Sequence, residues 1–383
     1  MVLVNLAEIA WSPERARNAA IFTTLLNRNV LFDDGLYVDP PKVLKSPTSI
    51  RERLRRLRAS RTLTRIADRA TLFQPCFAIP LAMRPVIRPI VAREQANHVF
   101  RYLKARPYCL WVNNIDAPAY ELFKVLAVRA RAIVLDMSDD WTTFRDAQPE
   151  ARDARISDVM ERADLMLAVN GIVKAKFAHK NSIVLGNATD FDNFQRRDAS
   201  FALHDFLPKQ PGSKIVGFIG GLNKERVDES LLDVLIGSLP DVLFVFVGYS
   251  NDAALVQKLK SFANVRFQSG VPYTDLPFVI SAFDVAIVPH LDNEHTRGND
   301  LLKVLDYLAT GVPVVSTNCS GVRQKYGDAV TVADSHGDFV AQVQRHLAER
   351  NHDSSIGKQL ARDRDWKNVV GAIEAELRPL LSA

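Results

Sequence analysis

Short apolar runs alternate with longer amphipathic stretches along most of the chain. In the first half, the clearest runs predict buried strands at Met1–Leu6, Cys109–Val112, Ala132–Met137, Leu165–Val169 and Ser182–Leu185. In the second half, the predicted strands are Ile215–Ile219, Leu243–Val247, Val265–Gln268, Val285–Val288 and Val312–Ser316. Helical patterns separate these runs, and that rhythm is typical of βαβ units with parallel sheets. The pattern therefore predicts an α/β protein.

A polar stretch rich in proline, residues 196–213, separates the two groups of strands and predicts an interdomain linker. A chain of 383 residues also exceeds the size of a single hydrophobic core. We assign residues 1–195 to a first domain and residues 214–361 to a second, and expect a C-terminal helix, about residues 362–383, to pack back on the first. The order of elements predicts two Rossmann-like domains that face a cleft.

The composition is that of an ordinary soluble protein, with 47% hydrophobic and 24% charged residues. No apolar run approaches the roughly 20 residues needed to span a bilayer, and no basic flank and apolar core of a signal peptide follow the first methionine. The cysteines, Cys76, Cys109 and Cys319, are odd in number and widely spaced, which argues against a disulfide framework or a metal cluster. These features predict a cytoplasmic protein.

The segment Asp284–Thr317 predicts a buried strand, a polar loop, a helix that begins near Asn299 and a second buried strand. Lys303 and Asp306 lie three residues apart, so they share one face of the first turns of that helix. A helix N-terminus with a nearby lysine suits a diphosphate, and the Asp306 carboxylate could accept hydrogen bonds from ribose hydroxyls. The segment therefore predicts a site for a nucleoside diphosphate.

The turn after the strand Ile215–Ile219 contains Gly220 and Gly221, which could let the backbone approach a phosphate closely. The turn lacks the G-x-G-x-x-G spacing of nicotinamide dehydrogenases, and a tight turn without a ligand is the alternative. Lys224 and Arg226 follow and could add positive charge, although exposed basic residues are common at the start of a helix.

Three further residues lie at the ends of predicted strands, where ligands of α/β folds bind. Tyr249 and Tyr273 could stack on a nucleobase, and packing alone is the alternative for each. His290 ends the strand before the polar loop within residues 284–317 and could reach the phosphate or a sugar attached to it; a histidine simply held by hydrogen bonds is the alternative.

The run from Asp136 to Trp141 follows a predicted strand and contains Asp139 and Asp140. A carboxylate here could act as a general base and deprotonate a substrate hydroxyl. Either aspartate could instead cap a helix that begins at Trp141, since an aspartate accepts hydrogen bonds from first-turn N–H groups. A metal-binding pair of carboxylates is a third interpretation.

Residues 42–106 contain sixteen lysines and arginines but only three acidic residues. A capping box at Ser49–Glu52 predicts a basic amphipathic helix over about residues 49–69. Such a helix is attracted to anionic lipid headgroups, and a solvated helix face is the alternative. Nucleic acid is a third option, but no recognisable binding module accompanies the charge, so we expect none.

The segment Lys303–Ser316 resembles the donor-site signature of GT-B glycosyltransferases that build bacterial cell-surface polysaccharides such as teichuronic acid and exopolysaccharides. In these enzymes Lys-x-x-Glu-Tyr-Leu-Ala precedes Gly-x-Pro-Val-Val-Ser, and here Asp306 replaces the glutamate. The segments GFIGGLN (217–223), PDVLFVFVG (240–248) and NVRFQSGVPYTDLP (264–277) follow the same family order. The chain is thereby identified as a member of that group, with the GT-B fold.

The resemblance implies a UDP or GDP sugar as donor substrate and a lipid-linked saccharide or oligosaccharide as acceptor, with no cofactor and no metal. It adds Asn299, Leu301 and Leu302 to the donor site. Trp11, Arg15 and Trp141 occupy places that imply contact with the acceptor. It implies a cytoplasmic enzyme that associates peripherally with the membrane.

Retaining members carry a glutamate eight residues before the ribose carboxylate, and Gly298 occupies that place here. This departure favours inversion with an aspartate base. Two other functions stay open: a nucleotide-sugar epimerase of GT-B architecture, which should not need the basic segment, and a non-catalytic scaffold of the same fold.

Overall fold

The structure, a computed structural model, describes residues 1–12, 17–43, 62–77, 84–143, 148–196, 214–349 and 352–382. The chain divides into two compact units. Unit 1 contains residues 1–186 and 369–383, and unit 2 contains residues 187–368.

Unit 1 is built on an eight-stranded sheet in which only one strand, β4, is antiparallel to its neighbour. The strand order is β10-β9-β8-β7-β1-β2-β5-β4, so β1 and β7 lie side by side at the point where the order reverses. The strands are β1 (Val2–Leu6), β2 (Asp34–Val38), β4 (Leu63–Ala67), β5 (Ala70–Phe73), β7 (Tyr108–Val112), β8 (Ala132–Met137), β9 (Leu165–Ala168) and β10 (Ser182–Val184), and β3 (Lys42–Val43) pairs with β6 (Cys76–Phe77).

Helices separate the strands of unit 1 as parallel connections require. They are α1 (Arg17–Arg28), α2 (Arg84–Leu103), α3 (Ala117–Ala127), α4 (Pro149–Arg162) and α5 (Gly171–Lys176). Apolar residues of β1, β7 and β8 form one core with residues of α2, α3 and α4. The buried strands are almost entirely apolar because both faces of a parallel sheet are covered.

Unit 2 contains a six-stranded parallel sheet in the order β13-β12-β11-β14-β15-β16. Its strands are β11 (Ile215–Ile219), β12 (Leu243–Val247), β13 (Val265–Gln268), β14 (Val285–Val288), β15 (Val314–Thr317) and β16 (Thr331–Ala333). Counted within the unit, this is the order 3-2-1-4-5-6 of dinucleotide-binding folds. The order reverses between β11 and β14, which marks the crevice where such folds bind ligands.

Helices cover both faces of the second sheet, and separate apolar cores lie on the two sides. The helices are α6 (Phe191–Phe194), α7 (Glu229–Ser238), α8 (Ala253–Ser261), α9 (Leu276–Ser281), α10 (Glu294–Arg297), α11 (Leu302–Thr310), α12 (Val322–Tyr326), α13 (His336–Ala348) and α14 (Ser355–Asp363). A last helix, α15 (Trp366–Ser382), begins in unit 2 and continues into unit 1, where Glu374 pairs with Arg28 at 3.0 Å.

All ten predicted strands are confirmed, each beginning and ending within two residues of its predicted bounds. The largest difference is at β15, which begins at Val314 because Pro313 has no N–H to donate to a ladder. The prediction missed β2, β3, β4, β5, β6 and β16, each of which has five residues or fewer. The cysteines are three buried free thiols.

The contacts place the unit boundary earlier than the predicted end of the first domain at residue 195. Asn187 donates its backbone N–H to Asp300 Oδ2 at 2.6 Å, and Phe191 donates to Asp365 Oδ2 at 2.9 Å. Residues 187–196 therefore belong to unit 2, because these hydrogen bonds join them to residues far along the chain in that unit. The predicted linker lies outside the described residues, apart from Arg196.

The predicted basic helix over residues 49–69 is wrong at its C-terminal end. Leu63–Ala67 is strand β4, which pairs antiparallel with β5 through a turn at Asp68 and Arg69. Alternating threonine and aliphatic residues favour a strand there. Residues 44–61 lie outside the described residues. Within the part of the chain that the structure describes, no helix is both long and apolar enough to span a bilayer.

Candidate functional site

Two glycine turns meet at the carboxyl ends of β11 and β12. Gly220 has a φ of +132° and Gly248 a φ of +147°, which side-chain-bearing residues rarely adopt. A Cβ on Gly248 would overlap the carbonyl oxygen of Gly220, and Gly220 donates its N–H to Val247 O at 2.9 Å. Both glycines are therefore required for the turns to pack backbone against backbone. Gly221 is exposed, with open space around the position of a Cβ.

The Lys303 ammonium lies over this glycine turn. A Cβ on Gly220 would sit 2.6 Å from Lys303 Nζ, and Nζ lies 4.1 Å from the centroid of the Phe218 ring. Nζ is also 3.1 Å from His290 Nε2. Because α11 begins at Leu302, the lysine belongs to the first turn of that helix. The structure thus brings together Gly220, His290 and Lys303, as the sequence predicted, at the reversal point of the second sheet.

Two cations, Arg226 and Lys303, meet beside a neutral histidine at this point. Burial and, after it, the neighbouring Arg226 guanidinium lower the pKa of Lys303 to about 7. Burial, Lys303 and Arg226 hold the pKa of His290 well below its usual range, so its imidazole is neutral. Arg226 Nε donates to His295 Nε2 at 3.0 Å. Arg226, His290 and Lys303 are called the basic cluster below; its two cations repel each other, so an anion bound between them would relieve the repulsion.

His290 also carries an unsatisfied polar atom. Its Nδ1 is buried and has no hydrogen-bond partner among the described residues. When protonated Lys303 donates to Nε2, the imidazole proton resides on Nδ1 as an unused donor. A buried donor without a partner costs free energy, and a ligand oxygen would satisfy it. This buried donor marks His290 as a side chain whose hydrogen bonding is incomplete within the described part of the chain.

Residues before Lys303 set the start of helix α11. Asn299 is buried and donates its N–H to Thr296 O at 3.0 Å, Leu301 is a buried core residue, and Leu302 is half-buried. Tyr307 on the same helix accepts a 2.6 Å hydrogen bond from the backbone N–H of Ile219. The helix is therefore tied directly to the glycine turn, through a tyrosine that sequence analysis treated only as part of a motif.

Asp300 holds this region together, and sequence analysis missed it. Its Oδ1 accepts from Lys325 Nζ at 3.0 Å, and its Oδ2 accepts from Arg364 at 3.0 Å and from the backbone N–H of Asn187 at 2.6 Å. The carboxylate is completely buried. An acidic residue two positions before a helix in an otherwise apolar segment is the only sequence signal for this role.

Asp306 shares a helix face with Lys303 as predicted, but its carboxylate is buried and engaged within unit 2. Thr189 Oγ1 donates to Asp306 Oδ1 at 2.7 Å. Burial raises the pKa of Asp306 to about 7, the Thr189 hydrogen bond opposes that rise, and Asp190 adds to it. An aspartate lacks one methylene of the glutamate that it replaces, so its carboxylate stays close to the helix. The ribose role stays a prediction.

The tyrosines and the exposed lysine differ in their surroundings. Tyr273 packs edge-to-face on Phe194, with ring centroids 5.6 Å apart, and so forms part of a core. Tyr249 is mostly exposed beside Gly270, where a Cβ would meet its hydroxyl, so its ring is available to stack on a ligand. Lys224 is exposed. Packing accounts for Tyr273, and the ligand roles of Tyr249 and Lys224 stay predictions.

In unit 1, Asp140 caps the 3₁₀ turn at Trp141–Thr143 and forms an ion pair with Lys176. Its Oδ1 accepts from the N–H of Thr142 at 3.1 Å and from Thr142 Oγ1 at 2.7 Å, and its Oδ2 pairs with Lys176 Nζ at 2.7 Å. Burial opposes ionisation, but the bonds from Lys176 and Thr142 hold the pKa of Asp140 below its usual value. A carboxylate that is stabilised in its ionised form is a weak proton acceptor.

Glu8 is a carboxyl group with the opposite properties, and sequence analysis missed it. It follows β1, beside the point where the order of the first sheet reverses. Burial raises the pKa of Glu8 to about 7, and repulsion from Asp139, Asp116 and Asp136 adds to that rise. Ser138 Oγ donates to Glu8 Oε2 at 3.2 Å. Such a group exchanges a proton near neutral pH. An acidic residue directly after the first strand was the available signal.

The predicted acceptor residues of unit 1 are partly accounted for by packing. The backbone N–H of Trp11 donates to Asp39 Oδ1 at 2.7 Å. The Trp11 ring packs edge-to-face on the Tyr37 ring, with ring centroids 5.0 Å apart. Trp141 is buried in the core at the start of a short 3₁₀ turn. Arg15 lies outside the described residues. Asp139 is half-buried beside Glu8, and its catalytic role stays a prediction.

Among the described residues, one group of side chains has the spacing of metal ligands: His346, Glu349 and His352. Both nitrogens of His346 are engaged, Nδ1 with Glu349 Oε2 and Nε2 with Thr331 Oγ1, each at 2.9 Å. The Arg345 guanidinium also lies 3.3 Å from Nε2. A metal would have to displace these contacts, so we assign none to this group.

Comparison with known proteins agrees with this geometry. Residues 213–349 match the family model described as "Glycosyl transferases group 1". A stretch of 159 residues is 26% identical to TuaH of Bacillus subtilis (strain 168), a protein named for a glycosyltransferase role in teichuronic acid biosynthesis. That match covers 40% of this chain and 40% of the relative, so the chain spans less than half of the length of this relative.

Solved structures match over nearly the whole chain. Sucrose-phosphate synthase from Thermosynechococcus elongatus superposes with a TM-score of 0.72 at 13% identity, covering 100% of this chain and 99% of that one. Anabaena Alr3699/HepE in complex with UDP and glucose superposes with a TM-score of 0.68 at 14% identity, covering 99% and 100%.

These matches identify the architecture. The chain has the GT-B fold, and the stretch that matches the model of the group 1 glycosyl transferases lies in its second unit. The resemblance to glycosyltransferases of cell-surface polysaccharide synthesis is confirmed by the match to TuaH.

Proposed function

We propose that the protein is a glycosyltransferase that moves a sugar from a nucleotide diphosphate to a saccharide acceptor. The observation that carries the proposal is the position of Lys303 Nζ over the glycine turn, 3.1 Å from His290 Nε2, in the unit that matches the family model. This combination of a helix N-terminus, close backbone and clustered positive charge is what a diphosphate requires.

The basic cluster acts on the leaving group. As the glycosidic bond to the diphosphate breaks, negative charge grows on the phosphate oxygens. Lys303, Arg226 and the first N–H groups of α11 stabilise that charge, because they are positioned before the reaction begins. The protein's own cations supply this stabilisation, and the proposal uses no metal and no cofactor.

The donor is a nucleotide sugar, with UDP and GDP sugars as the two classes to test. HepE, a structure with the same fold, is described in complex with UDP and glucose, which supports a uridine nucleotide. Tyr249, exposed beside the turn at Gly270, is the side chain we assign to the nucleobase. Asp306, once a ligand displaces its bond to Thr189, is the group we assign to the ribose.

Glu8 is the group that we assign to accept the proton of the acceptor hydroxyl. The pKa of Glu8 is raised to about 7, so near neutral pH it can both accept and release a proton, whereas the pKa of Asp140 is lowered. Asp139 raises the basicity of Glu8 by charge repulsion. A carboxylate base together with Gly298, in the place of the retaining glutamate, favours inversion at the anomeric carbon.

The acceptor is a lipid-linked saccharide of cell-surface polysaccharide synthesis, and the enzyme works at the cytoplasmic face of the membrane. The match to TuaH and the family resemblance of the donor segment support this assignment. Attraction of the basic residues 42–106 to anionic lipids would keep the enzyme close to such an acceptor.

The test is to incubate the full chain with UDP, GDP and ADP sugars and to measure nucleoside diphosphate release with and without bacterial lipid-linked saccharides. The proposal predicts release from one nucleotide class that depends on the acceptor, with a lengthened saccharide as product. Conversion of the donor without any acceptor would indicate an epimerase instead. Absence of nucleotide binding would indicate a scaffold.

A further inference from the structure

Helix α2 exposes a stripe of residues that changes from apolar to basic along its length. Val86 is 74% exposed and Ile90 is 61% exposed, and they lie four residues apart on one face. Arg93 and Arg101 continue the same face and are exposed. This stripe has no cover among the described residues, although α2 buries its opposite face in the core of unit 1.

Helix α3 packs beside α2 and extends the stripe into a surface. Val128, directly after α3, is 79% exposed. An open groove of about 420 Å³ lies between the two helices and is lined by residues that include Pro89, Arg93, Lys124, Val125, Val128 and Arg129. Val86, Ile90, Arg93, Lys124, Val128 and Arg129 are called the α2–α3 surface below.

Two cations of this surface make cation–π contacts with aromatic rings. Arg129 lies over the Phe100 ring at 4.9 Å, and Lys124 lies over the Tyr120 ring at 5.1 Å. Glu121 is the acidic residue of the groove and pairs with Lys124 at 3.0 Å. Glu94, exposed next to Arg93, is a second carboxylate at the edge of the surface. The three cations of the α2–α3 surface outnumber these two carboxylates, so a net positive charge lies beside three exposed aliphatic side chains.

A surface that combines exposed aliphatic side chains with cations suits binding to a membrane better than binding to a soluble anion. Exposed valine and isoleucine gain free energy when they leave water, and the boundary between lipid headgroups and acyl chains offers that environment. Arginine and lysine at the same depth meet the phosphates of anionic lipids. A nucleic acid would satisfy the cations but would leave no such environment for Val86 and Ile90.

We propose that the α2–α3 surface binds the anionic phospholipid surface of a membrane, with Val86, Ile90 and Val128 in the headgroup region and Arg93, Lys124 and Arg129 on lipid phosphates. This inference deepens the proposed function, on which it rests for the need to reach a lipid-linked acceptor. It assigns the contact to described residues that are distinct from the predicted basic helix.

The test uses sedimentation of the full chain with vesicles of phosphatidylcholine and phosphatidylglycerol, and with vesicles of phosphatidylcholine alone. Wild-type protein should bind the anionic vesicles, and binding should weaken as salt shortens the Debye length to about 10 Å and below. The combined change Arg93→Gln, Lys124→Gln and Arg129→Gln should weaken binding about hundredfold, since each charge contributes about a factor of five or more.

A second variant tests whether the exposed aliphatic side chains contribute to vesicle binding. The change Val86→Ser, Ile90→Ser and Val128→Ser should weaken binding at least about tenfold, because three exposed aliphatic side chains are lost. The matched control is Ile172→Ser with Ile356→Ser, whose side chains are 55% and 58% exposed elsewhere on the chain. This control should bind as wild type does.

Three outcomes would overturn the inference: wild-type protein that ignores anionic vesicles, surface variants that bind as tightly as wild type, or surface variants that instead change the oligomeric state in light scattering. The last would indicate that a second copy covers the surface. Nucleotide-sugar binding, measured on the same variants, should stay unchanged. A failure of the donor proposal is therefore visible separately, because vesicle binding requires no donor.

Discussion

Lys303 Nζ and His290 Nε2 lie 3.1 Å apart, with His290 buried and Lys303 half-buried, and the pKa of each group lies below its usual range. The pKa of Lys303 falls to about 7 because burial and then Arg226 disfavour its charged form. The free protein therefore holds a lysine that is only partly protonated near neutral pH. A bound diphosphate reverses the balance, since an adjacent negative charge favours the ammonium.

This relationship predicts that nucleoside diphosphate binding takes up a proton. At pH 8 a lysine with a pKa of about 7 is only about one tenth protonated, so binding should take up close to one proton; at pH 6 the uptake should be small. Calorimetric titrations in buffers with different ionisation enthalpies measure this number. Lys303→Met should remove the uptake, and binding heats at pH 8 that do not depend on the buffer would contradict the assignment.

Asp306 is predicted to cost stability at neutral pH. Burial raises the folded-state pKa to about 7, so the native state binds more protons than the unfolded state between about pH 4 and pH 7. The free energy of unfolding should therefore fall as the pH rises through that window. Asp306→Asn should remove this dependence and stabilise the protein by about 1–3 kcal/mol at pH 8, with little change at pH 4.

The same variant tests the ribose role. Asp306→Asn should weaken binding of the nucleotide sugar and of the free nucleoside diphosphate alike, whereas Asp306→Glu should be tolerated because glutamate is the family residue. Calorimetry on both variants measures this. Unchanged affinity in the Asn variant, together with the predicted stabilisation, would leave Asp306 with only its structural bond to Thr189.

Asp300 is predicted to be a stabilising anchor without a direct role in chemistry. Its buried carboxylate pairs with Lys325 and Arg364, so Asp300→Asn leaves two cations without their anion and should cost about 2–4 kcal/mol of unfolding free energy. Urea unfolding measures the loss. The control is Asp292→Asn, which breaks an exposed pair with Arg297 and should leave the free energy of unfolding close to that of the wild type, because water and salt screen such pairs. Equal losses in the two variants would contradict the anchor role.

Glu8 is predicted to set the pH dependence of transfer. With a pKa raised to about 7, the transfer rate should rise with pH through that value and then level off, because the base must be ionised. Glu8→Gln should lower kcat by about 10²–10⁴-fold and leave donor affinity unchanged. Asp140→Asn should instead lower stability with a smaller effect on the pH profile. A Gln variant that keeps the wild-type rate and profile would return the base role to Asp139.

The sequence was sufficient for five of the six strands of unit 2 and for the proximity of Gly220, His290 and Lys303, because these depend on local signals. Buried parallel strands are uniformly apolar, and Gly220 and Lys303 belong to short motifs at strand ends. What the sequence did not reveal depends on contacts between distant residues. Asp300 meets Arg364, and Thr189 meets Asp306, only after folding. The unit boundary was misplaced for the same reason.

The choice of Asp139 and Asp140 as candidates for the catalytic base depended on the same kind of local signal. Asp139 and Asp140 stand out in the sequence because they are adjacent, yet neighbours in space determine the properties of each carboxyl group. Lys176 stabilises the ionised form of Asp140, whereas burial and three surrounding aspartates disfavour the ionised form of Glu8. A single acidic residue after β1 carries no pattern that would reveal these surroundings.

The most direct test of the account is calorimetric titration of wild-type protein and Lys303→Ala with UDP and GDP and with their sugars, with Lys260→Ala as the control. Loss of a charge-assisted contact should weaken binding by about 2–3 kcal/mol in Lys303→Ala and lower transfer in proportion. Lys260 is an exposed lysine of the same unit on helix α8, so the control variant should bind nucleotide as the wild type does. Near-normal nucleotide affinity and turnover in folded Lys303→Ala would contradict the assignment of the donor site.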